Sequence, residues 1–440
     1  MKVMKFGGTS VGKPERMHHI AGLVTRDTEP TIVVLSALSG STNALVEIAE
    51  NIARGDRSTA KQNIDKLEAH YLQFISELVN QPAAQEKAKA IIAEHFEFLN
   101  IILKISFSEA LSKDILAQGE LLSTKLFSVY LEQQGIEHAL IPALEFMTID
   151  SYDEPQIGSI KVKLSQILKQ HADKKLFITQ GYISRNARGE VDNLKRGGSD
   201  YSASLIAAAI NASVCEIWTD IDGMHNNDPR IVKKTLPIEQ MSFDEAAELA
   251  YFGAKILHPA SIWPAQQYKI PVKLLNTMQP EAKGTLVTEE AGSVGVKAVA
   301  AKDNIIAIRI KSSRMLLAYG FLRKIFEVFE KYRTPIDMIT TSEVAVSLTI
   351  DNPIYLKEIL RELEPFGTTE VDYNQAIISV VGNEISQTTD IIRKLFGSIV
   401  NIPIRMVSYG GSPHNISLLT DAEYKVRLLQ QLNKGMFGLE

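Results

Sequence analysis

Several short runs in this 440-residue chain set glycines beside ionisable side chains, and in order along the sequence they read as a site for anions. The first is Lys5-Phe-Gly-Gly-Thr-Ser10-Val-Gly12. Glycines at a strand end let backbone N–H groups approach a phosphate, and a neighbouring lysine supplies the charge that a migrating phosphoryl group needs. Gly7 and Gly12-Lys13 imitate part of a P-loop, but Pro14 stands where a magnesium-binding hydroxyl belongs, so Pro14 reads instead as a first-turn helix residue. Ser36-Ala-Leu-Ser-Gly-Ser-Thr42-Asn43 gathers hydroxyls after a second apolar run, where open α/β sheets place ligands. Gly119-Glu120, read as the opening of a helix, offers a carboxylate. In Arg196-Gly-Gly-Ser-Asp200 the arginine can clamp a substrate carboxylate, and Asp200 at a helix start can orient lysines or a metal-nucleotide complex. Trp218-Thr-Asp220-Ile-Asp-Gly223 and Asp228-Pro-Arg230 form a turn-rich segment suited to a nucleotide. Phe252-Gly-Ala-Lys255-Ile-Leu-His258-Pro259 adds a lysine between two helices, with His258 read as a capping or buried structural group. Each run alone is an ordinary turn or cap; the ordered set argues for chemistry.

The elements that must hold these runs follow from periodicity. Short β-branched stretches (Val3–Phe6, Thr31–Leu35, His138–Ile141, Leu176–Gln180, Glu216–Thr219, Val272–Asn276) alternate with helical patterns, which predicts a mostly parallel sheet covered by helices as far as residue 295. Residues 60–135 break the alternation: Ile64, Leu67, Tyr71, Phe74 and Leu78 recur at helical spacing, and two or three helices are expected there. Lysine and arginine total 47 against 52 acidic residues, a formal charge of -5 that argues against a nucleic-acid surface. With 45% apolar and 22% charged residues the composition is that of a globular protein. One cysteine, Cys215, excludes an intrachain disulfide and a multi-cysteine metal site, and no metal centre is expected from the protein's own side chains. The opening residues lack a signal peptide's apolar stretch and no run approaches a membrane span, so a cytoplasmic chain without membrane contact is expected.

Beyond residue 295 the chain repeats itself. Phe321-Leu-Arg-Lys-Ile-Phe326 returns as Ile391-Ile-Arg-Lys-Leu-Phe396, Pro335-Ile-Asp-Met338 as Pro403-Ile-Arg-Met406, and Val346-Ser-Leu348 as Ile416-Ser-Leu418. Each copy reads as β-α-β-β, a small α+β unit in tandem. Neither copy contains an evident nucleophile or metal cluster.

The combined runs Lys5-Phe-Gly-Gly-Thr-Ser-Val, Gly119-Glu120, Arg196-Gly-Gly-Ser-Asp200, Trp218-Thr-Asp220 and Phe252-Gly-Ala-Lys255 resemble those of the aspartokinases, and of these the monofunctional lysine-sensitive type. The resemblance implies an α/β amino-acid-kinase fold over residues 1–295, an open and mostly parallel sheet between helical layers. Two α+β ACT domains follow, at 301–372 and 373–440. Because family members commonly insert the second ACT unit in the first, the stretch Gly435–Glu440 is a candidate strand to complete the first. The implied reaction moves the γ-phosphoryl group of ATP, carried with Mg²⁺, to the side-chain carboxylate of L-aspartate, opening lysine, threonine and methionine synthesis. By the same resemblance Lys5 and Asp200 are catalytic, and Ser36, Thr42, Glu120, Arg196 and Ser199 bind aspartate. Lys5, Gly7, Gly8, Thr219, Asp220, His225, Arg230, Lys255 and Ile256 bind the nucleotide, with His225 where tyrosine is frequent. Met315, Ala318, Gly320, Leu322, Asp337, Thr341, Ser342 and Glu343 match the inhibitor-lysine site, with Ala318 replacing a common serine. A homodimer or homotetramer through the ACT domains is implied. Two other readings stay open on the residues alone: another carboxylate kinase of the same fold, and a catalytically silent amino-acid sensor.

Overall fold

Strand β1 (Lys2–Phe6) begins the first of two units, Met1–Met224 with Leu257–Glu289; the second comprises His225–Ile256 with Glu290–Glu440. A computed structural model describes every residue except 195–196, 254–256, 291 and 313–318. β1 lies parallel between β2 (Thr31–Leu35) and β7 (Cys215–Thr219), in register Lys5 to Val34 and Lys5 to Ile217. Outward from β2 come β4 (Leu176–Gln180) and β3 (Ala139–Leu140), and outward from β7 come β9 (Val272–Asn276) and β10 (Thr285–Thr288). All these pairings are parallel except that of β10 with β9. β2 and β4 are buried at every position, which is why they read as unbroken apolar runs rather than alternating ones. The parallel arrangement aligns the C-terminal ends of β1, β2, β4 and β7, and the chain positions its chemistry there.

Helices α1 (Gly8–Val11) and α2 (Pro14–Val24) follow β1, with Pro14 in the first turn of α2 as its fixed φ favours. After α3 (Ser41–Ala53), the stretch outside the alternation is three long helices, α4 (Arg57–Leu78), α5 (Pro82–Ile102) and α6 (Glu109–Gln133). Tyr71, Phe96 and Phe127 are fully enclosed, each contributing about 1.5–3 kcal/mol of hydrophobic stabilisation. Gly119-Glu120 does not open a helix as expected. It lies in the middle of α6, which starts after the Ser108 cap. α7 (Ala143–Phe146), α8 (Ile157–Gln170) and the hairpin β5 (Ile183–Arg185) with β6 (Val191–Asn193) lead to α9 (Gly198–Ile210), whose core-facing residues are nearly all small. α11 (Pro259–Gln267) is capped by His258, whose Nδ1 accepts the Ala260 N–H at 3.2 Å.

The second unit is an antiparallel sheet built on two long strands, β11 (Gly295–Lys311) and β14 (Thr368–Asn383), each serving both repeats. Ala307–Lys311 and Thr368–Asp372 pair within the first repeat, and Gly295–Lys302 and Ile377–Asn383 within the second, with an irregularity at Lys302/Ile305 where Asn304 adopts φ 60°. The first repeat adds α12 (Phe321–Lys331), β12 (Ile339–Thr341), β13 (Ala345–Ile350) and α13 (Leu356–Leu363). The second adds α14 (Ile391–Ser398), β15 (Met406–Ser408), β16 (Asn415–Asp421) and α15 (Lys425–Phe437). Separate cores form around Phe321, Ile325 and Leu348, and around Ile391, Leu395 and Leu418.

This corrects the expected insertion. The second repeat takes its last strand from residues that precede the first repeat, so the first is inserted in the second and not the reverse. Gly435–Glu440 forms no strand, because Leu428, Leu429, Leu432 and Met436 recur at helical spacing and carry α15 through Phe437 against the second core.

Strand β8 (Gln240–Ser242) and α10 (Phe243–Tyr251) belong to this second unit. A Ser242–Glu245 capping box starts α10, and the fully buried Glu245 also meets Lys297 of β11 at 2.7 Å. One turn on, Glu248 accepts from Asn415 of β16 at 2.7 Å, and at the helix end the Tyr251 hydroxyl donates to Asp337 at 2.7 Å. Replacing Lys297 by Met leaves Glu245 enclosed without its cation. This is expected to lower the unfolding free energy by about 3–5 kcal/mol in chemical denaturation, whereas an unchanged midpoint would show that the pair carries no stability.

Candidate active site

Lys5, last but one in β1, extends its ammonium to Asp200 Oδ1 at 2.6 Å, with side chains only 11% and 19% exposed. Asp200 stands in the first turn of α9, where the helix dipole favours a carboxylate. The glycines make this approach possible. A Cβ on Gly7 would lie 3.3 Å from Lys5 Nζ, and one on Gly8 would lie 3.1 Å from the Ala37 carbonyl oxygen. Gly197 adopts φ 67° with Ser261 so near that an added Cβ would sit 2.4 Å from that residue's own Cβ, so α9 can begin here only from glycine.

The end of β2 supplies the next group. Ser36 Oγ donates to Ser199 Oγ at 2.9 Å, while the Ser36 carbonyl accepts from Ser123 Oγ of α6 at 2.7 Å. Thr42 lies in the first turn of α3. Gly119 lets α6 pass this loop, since an added Cβ would fall 2.7 Å from Ala37 Cβ. The passage delivers Glu120, whose Oε1 accepts the Ala37 N–H at 3.3 Å and whose Oε2 is buried without a hydrogen-bond partner. Burial pushes the Glu120 carboxyl up to about 7, a shift the Ala37 N–H offsets only in part.

At the end of β4, Gly181 is pressed on Ser199, and Tyr182 takes the left-handed φ of 65°, its N–H donating to Ser202 Oγ and its carbonyl accepting from Leu194, both at 2.7 Å. Burial and the Glu120 charge hold the Tyr182 phenol above its ordinary value, and its hydroxyl is hydrogen-bonded to Asn193 of β6. None of the sequence runs included Tyr182 or Asn193. A signal existed for the first: Gln180-Gly181-Tyr182 ends a strand, the place where the other runs lie.

Thr219 and Asp220 close β7. The Thr219 hydroxyl accepts the Asp220 N–H at 2.6 Å, and its carbonyl accepts the Thr277 N–H at 2.8 Å. The first unit therefore gathers Lys5, Gly7, Gly8, Ser36, Thr42, Glu120, Ser199, Asp200, Thr219 and Asp220 on strand ends and the helix segments that follow them or pack beside them. In the second unit His225 Nδ1 lies 2.7 Å from Thr235 Oγ1, and the exposed Arg230 is paired through two nitrogens with Asp228. Arg196, Lys255, Ile256, Met315 and Ala318 lie outside the described residues.

Of the expected inhibitor residues, Gly320 caps α12 with φ 75°, Leu322 is in its first turn, and Thr341, Ser342 and Glu343 form the exposed end of β12 and its turn. Asp337 is already engaged within the second unit. Its side chain, 1% exposed, already meets Lys302 Nζ at 2.6 Å and the Tyr251 hydroxyl, and Lys302 also meets Asp351 at 2.9 Å.

Sequence models of two families match this architecture: the amino acid kinase family over residues 1–276 and an ACT domain over residues 378–436. The lysine-sensitive aspartokinase 3 of Escherichia coli is 34% identical over 99% of both chains. The crystal structure of E. coli aspartokinase III with aspartate and ADP superposes with a TM-score of 0.84 at 32% identity, covering 99% of this chain and all of that one. The lysine and aspartate complex of that enzyme gives 0.82 at 32% identity, over 99% of each chain. The fold is that of an amino acid kinase joined to a regulatory module. More narrowly, the chain belongs to the aspartokinase family.

The raised Glu120 carboxyl has a consequence for stability. Below about pH 4 both folded and unfolded chains hold its proton; between the ordinary value and about 7 the unfolded chain releases it first, so stability falls as pH rises through this window. Glu120→Gln is therefore expected to gain ~1–3 kcal/mol relative to the parent at pH 8 and nothing at pH 4, read from paired denaturation curves. Equal differences at both pH values would contradict the shift.

Proposed function

We propose that this chain transfers the γ-phosphoryl group of ATP to the side-chain carboxylate of L-aspartate, giving 4-phospho-L-aspartate. The observation that carries the reading is the Lys5–Asp200 pair at the ends of β1 and α9, beside a buried carboxylate with an unpartnered oxygen. A carboxylate is already a competent nucleophile, so the work is alignment and charge neutralisation rather than proton removal. Lys5 stabilises the phosphoryl group in flight, held in place by Asp200. Gly7 and Gly8 keep the backbone close to the phosphates, and Thr219 and Asp220 meet the nucleotide. Arg196 takes the substrate α-carboxylate, Glu120 its ammonium, and Ser36, Thr42 and Ser199 the remaining polar edge. His225, Arg230, Lys255 and Ile256 belong to the nucleotide contacts.

Magnesium held chiefly by the nucleotide would need few protein ligands; Asp200 would be the carboxylate to hold it, and the ion would neutralise phosphate charge. Among the described residues no cluster of three acidic or histidine side chains provides a separate metal centre. No helix among them is long and apolar enough to cross a membrane.

Residues 1–295 act as the kinase domain and the two repeats as ACT domains, through which subunits pair. Lysine is the feedback effector, received near Gly320, Leu322, Asp337, Thr341, Ser342 and Glu343, with Met315 and Ala318 in the same site. Support comes from the E. coli structure with lysine and from the β12–β13 turn and the start of α12 lying in one repeat. Since Asp337 is held by Lys302, the effector's ammonium would displace that cation or share the carboxylate with it.

Two measurements test this. A hydroxamate assay with aspartate and Mg-ATP should detect product, and Lys5→Ala should reduce kcat by roughly 10²–10³-fold; undiminished turnover would discredit the role of Lys5. Millimolar lysine should lower the initial rate and threonine should not, and Asp337→Ala should weaken the response to lysine with little change in uninhibited rate. Indifference to lysine in the parent chain would remove the effector assignment while leaving the kinase reading standing.

A further inference from the structure

Glu120 Oε2 and Asn193 Oδ1 are both buried acceptors with no hydrogen-bond partner, on residues only 3% and 7% exposed. Buried polar atoms are almost always satisfied, so two orphans on elements that pack together, both acting on Tyr182, point to an absent donor. Their chemistry defines it: both accept and neither donates, so the missing group carries several hydrogens. The elements bearing them are neighbours, since α6 packs on β6 and is tied to it by the Lys113–Asp192 ion pair at 2.7 Å. That pair also engages the other carboxylate of β6, leaving Glu120 as the negative charge available to the donor.

Tyr182 connects the two acceptors. It feels the Glu120 charge, and its hydroxyl takes a hydrogen bond from the Asn193 amide nitrogen, which turns Oδ1 away from it. The backbone of Tyr182 is kept in a conformation uncommon for a side-chain-bearing residue, with both its N–H and its carbonyl bonded at 2.7 Å. Such local strain persists where the surrounding structure enforces it and collects at ligand sites.

We propose that Asn193 is a specificity-determining residue for the acceptor amino acid: its Oδ1, aimed by Tyr182, joins Glu120 Oε2 in receiving the substrate's α-ammonium. An ammonium offers three N–H donors, which two convergent acceptors and one further oxygen satisfy, and a dicarboxylic acid without the amine leaves both atoms orphaned. Tyr182 acts as a positioning residue. The assignment rests on the aspartate-kinase reading.

The test uses the full chain and compares aspartate with succinate, which lacks the ammonium and serves as a competitive inhibitor. Asn193→Leu is expected to raise the aspartate KM by ~10-fold or more, with the succinate Ki and the ATP KM changed less than about twofold. Asn193→Asp, which keeps an acceptor, should restore the aspartate KM to within about threefold of the parent. Tyr182→Phe should raise it by roughly threefold without affecting ATP. If aspartate KM and succinate Ki rise together, or neither moves, or the Asp variant is as impaired as the Leu variant, the proposal is overturned. Should Asn193→Leu fail to fold, the Asp and Phe variants decide by the same criteria. A parent chain that forms no aspartyl hydroxamate defeats the kinase reading itself, which separates that failure from this one.

Discussion

The contact between Lys5 and Asp200 is the constraint around which the first unit is organised. A lysine at a strand end and an aspartate in the first turn of a helix meet at 2.6 Å because α9 begins beside β1. Glycines shape the surrounding turns: a Cβ on Gly7 would crowd Lys5 Nζ, one on Gly8 the Ala37 carbonyl oxygen and one on Gly197 the Ser261 side chain, while β1 lies parallel between β2 and β7. Parallel pairing sets the ends of β1, β2, β4 and β7 side by side, so hydroxyls, amides and charges distant in sequence share one rim. Isolating an ion pair this far from water is costly unless something else compensates. On the proposed function the phosphates and carboxylates of the reaction would supply that compensation, making the pair half of a four-charge arrangement rather than a stabilising bridge.

Glu120 shows the complementary strategy. A carboxyl kept in an apolar wall and held near neutrality by burial gains its charge most readily when a cation arrives. On the proposed function the site would couple its own ionisation to substrate entry, and α6, which carries Glu120 in its middle, is the element that fixes the group.

Much of this was legible in the sequence where local chemistry decides the structure. The strands Thr31–Leu35, Leu176–Gln180 and Val272–Asn276 were readable because burial on both faces leaves a continuous apolar run. Lys5 and Asp200 stood out because glycines flank them. Glu120 was read as a helix opener and lies instead mid-helix: from Ile115 to Leu131 α6 is buried almost all round, so it lacks the polar stripe that marks a helix interior, and Gly119 looked like a boundary. Tyr182 and Asn193 were invisible because the contact between them depends on a backbone angle and a side-chain hydrogen bond, neither of which has a composition signature. The repeat was obvious from its 70-residue offset, yet its insertion was not. The pairing of Ile377–Asn383 with Gly295–Lys302 depends on long-range register that no local pattern reveals, and α15 runs through Phe437 where a strand for the first repeat was expected.

The anchoring of α10 has a consequence for how such enzymes can be recombined. The amino acid kinase match runs through residue 276, yet α10 packs with the C-terminal sheet, tied at Glu245, Glu248 and Tyr251 to Lys297, Asn415 and Asp337. The border drawn by homology and the border drawn by packing therefore do not coincide. A chimera that exchanged only the residues after 290 would join a foreign sheet to a helix whose three partners had gone, one of them the counterion of an enclosed glutamate. A working graft would carry residues 225–256 along with the C-terminal module, making the exchangeable part of this architecture discontinuous in sequence.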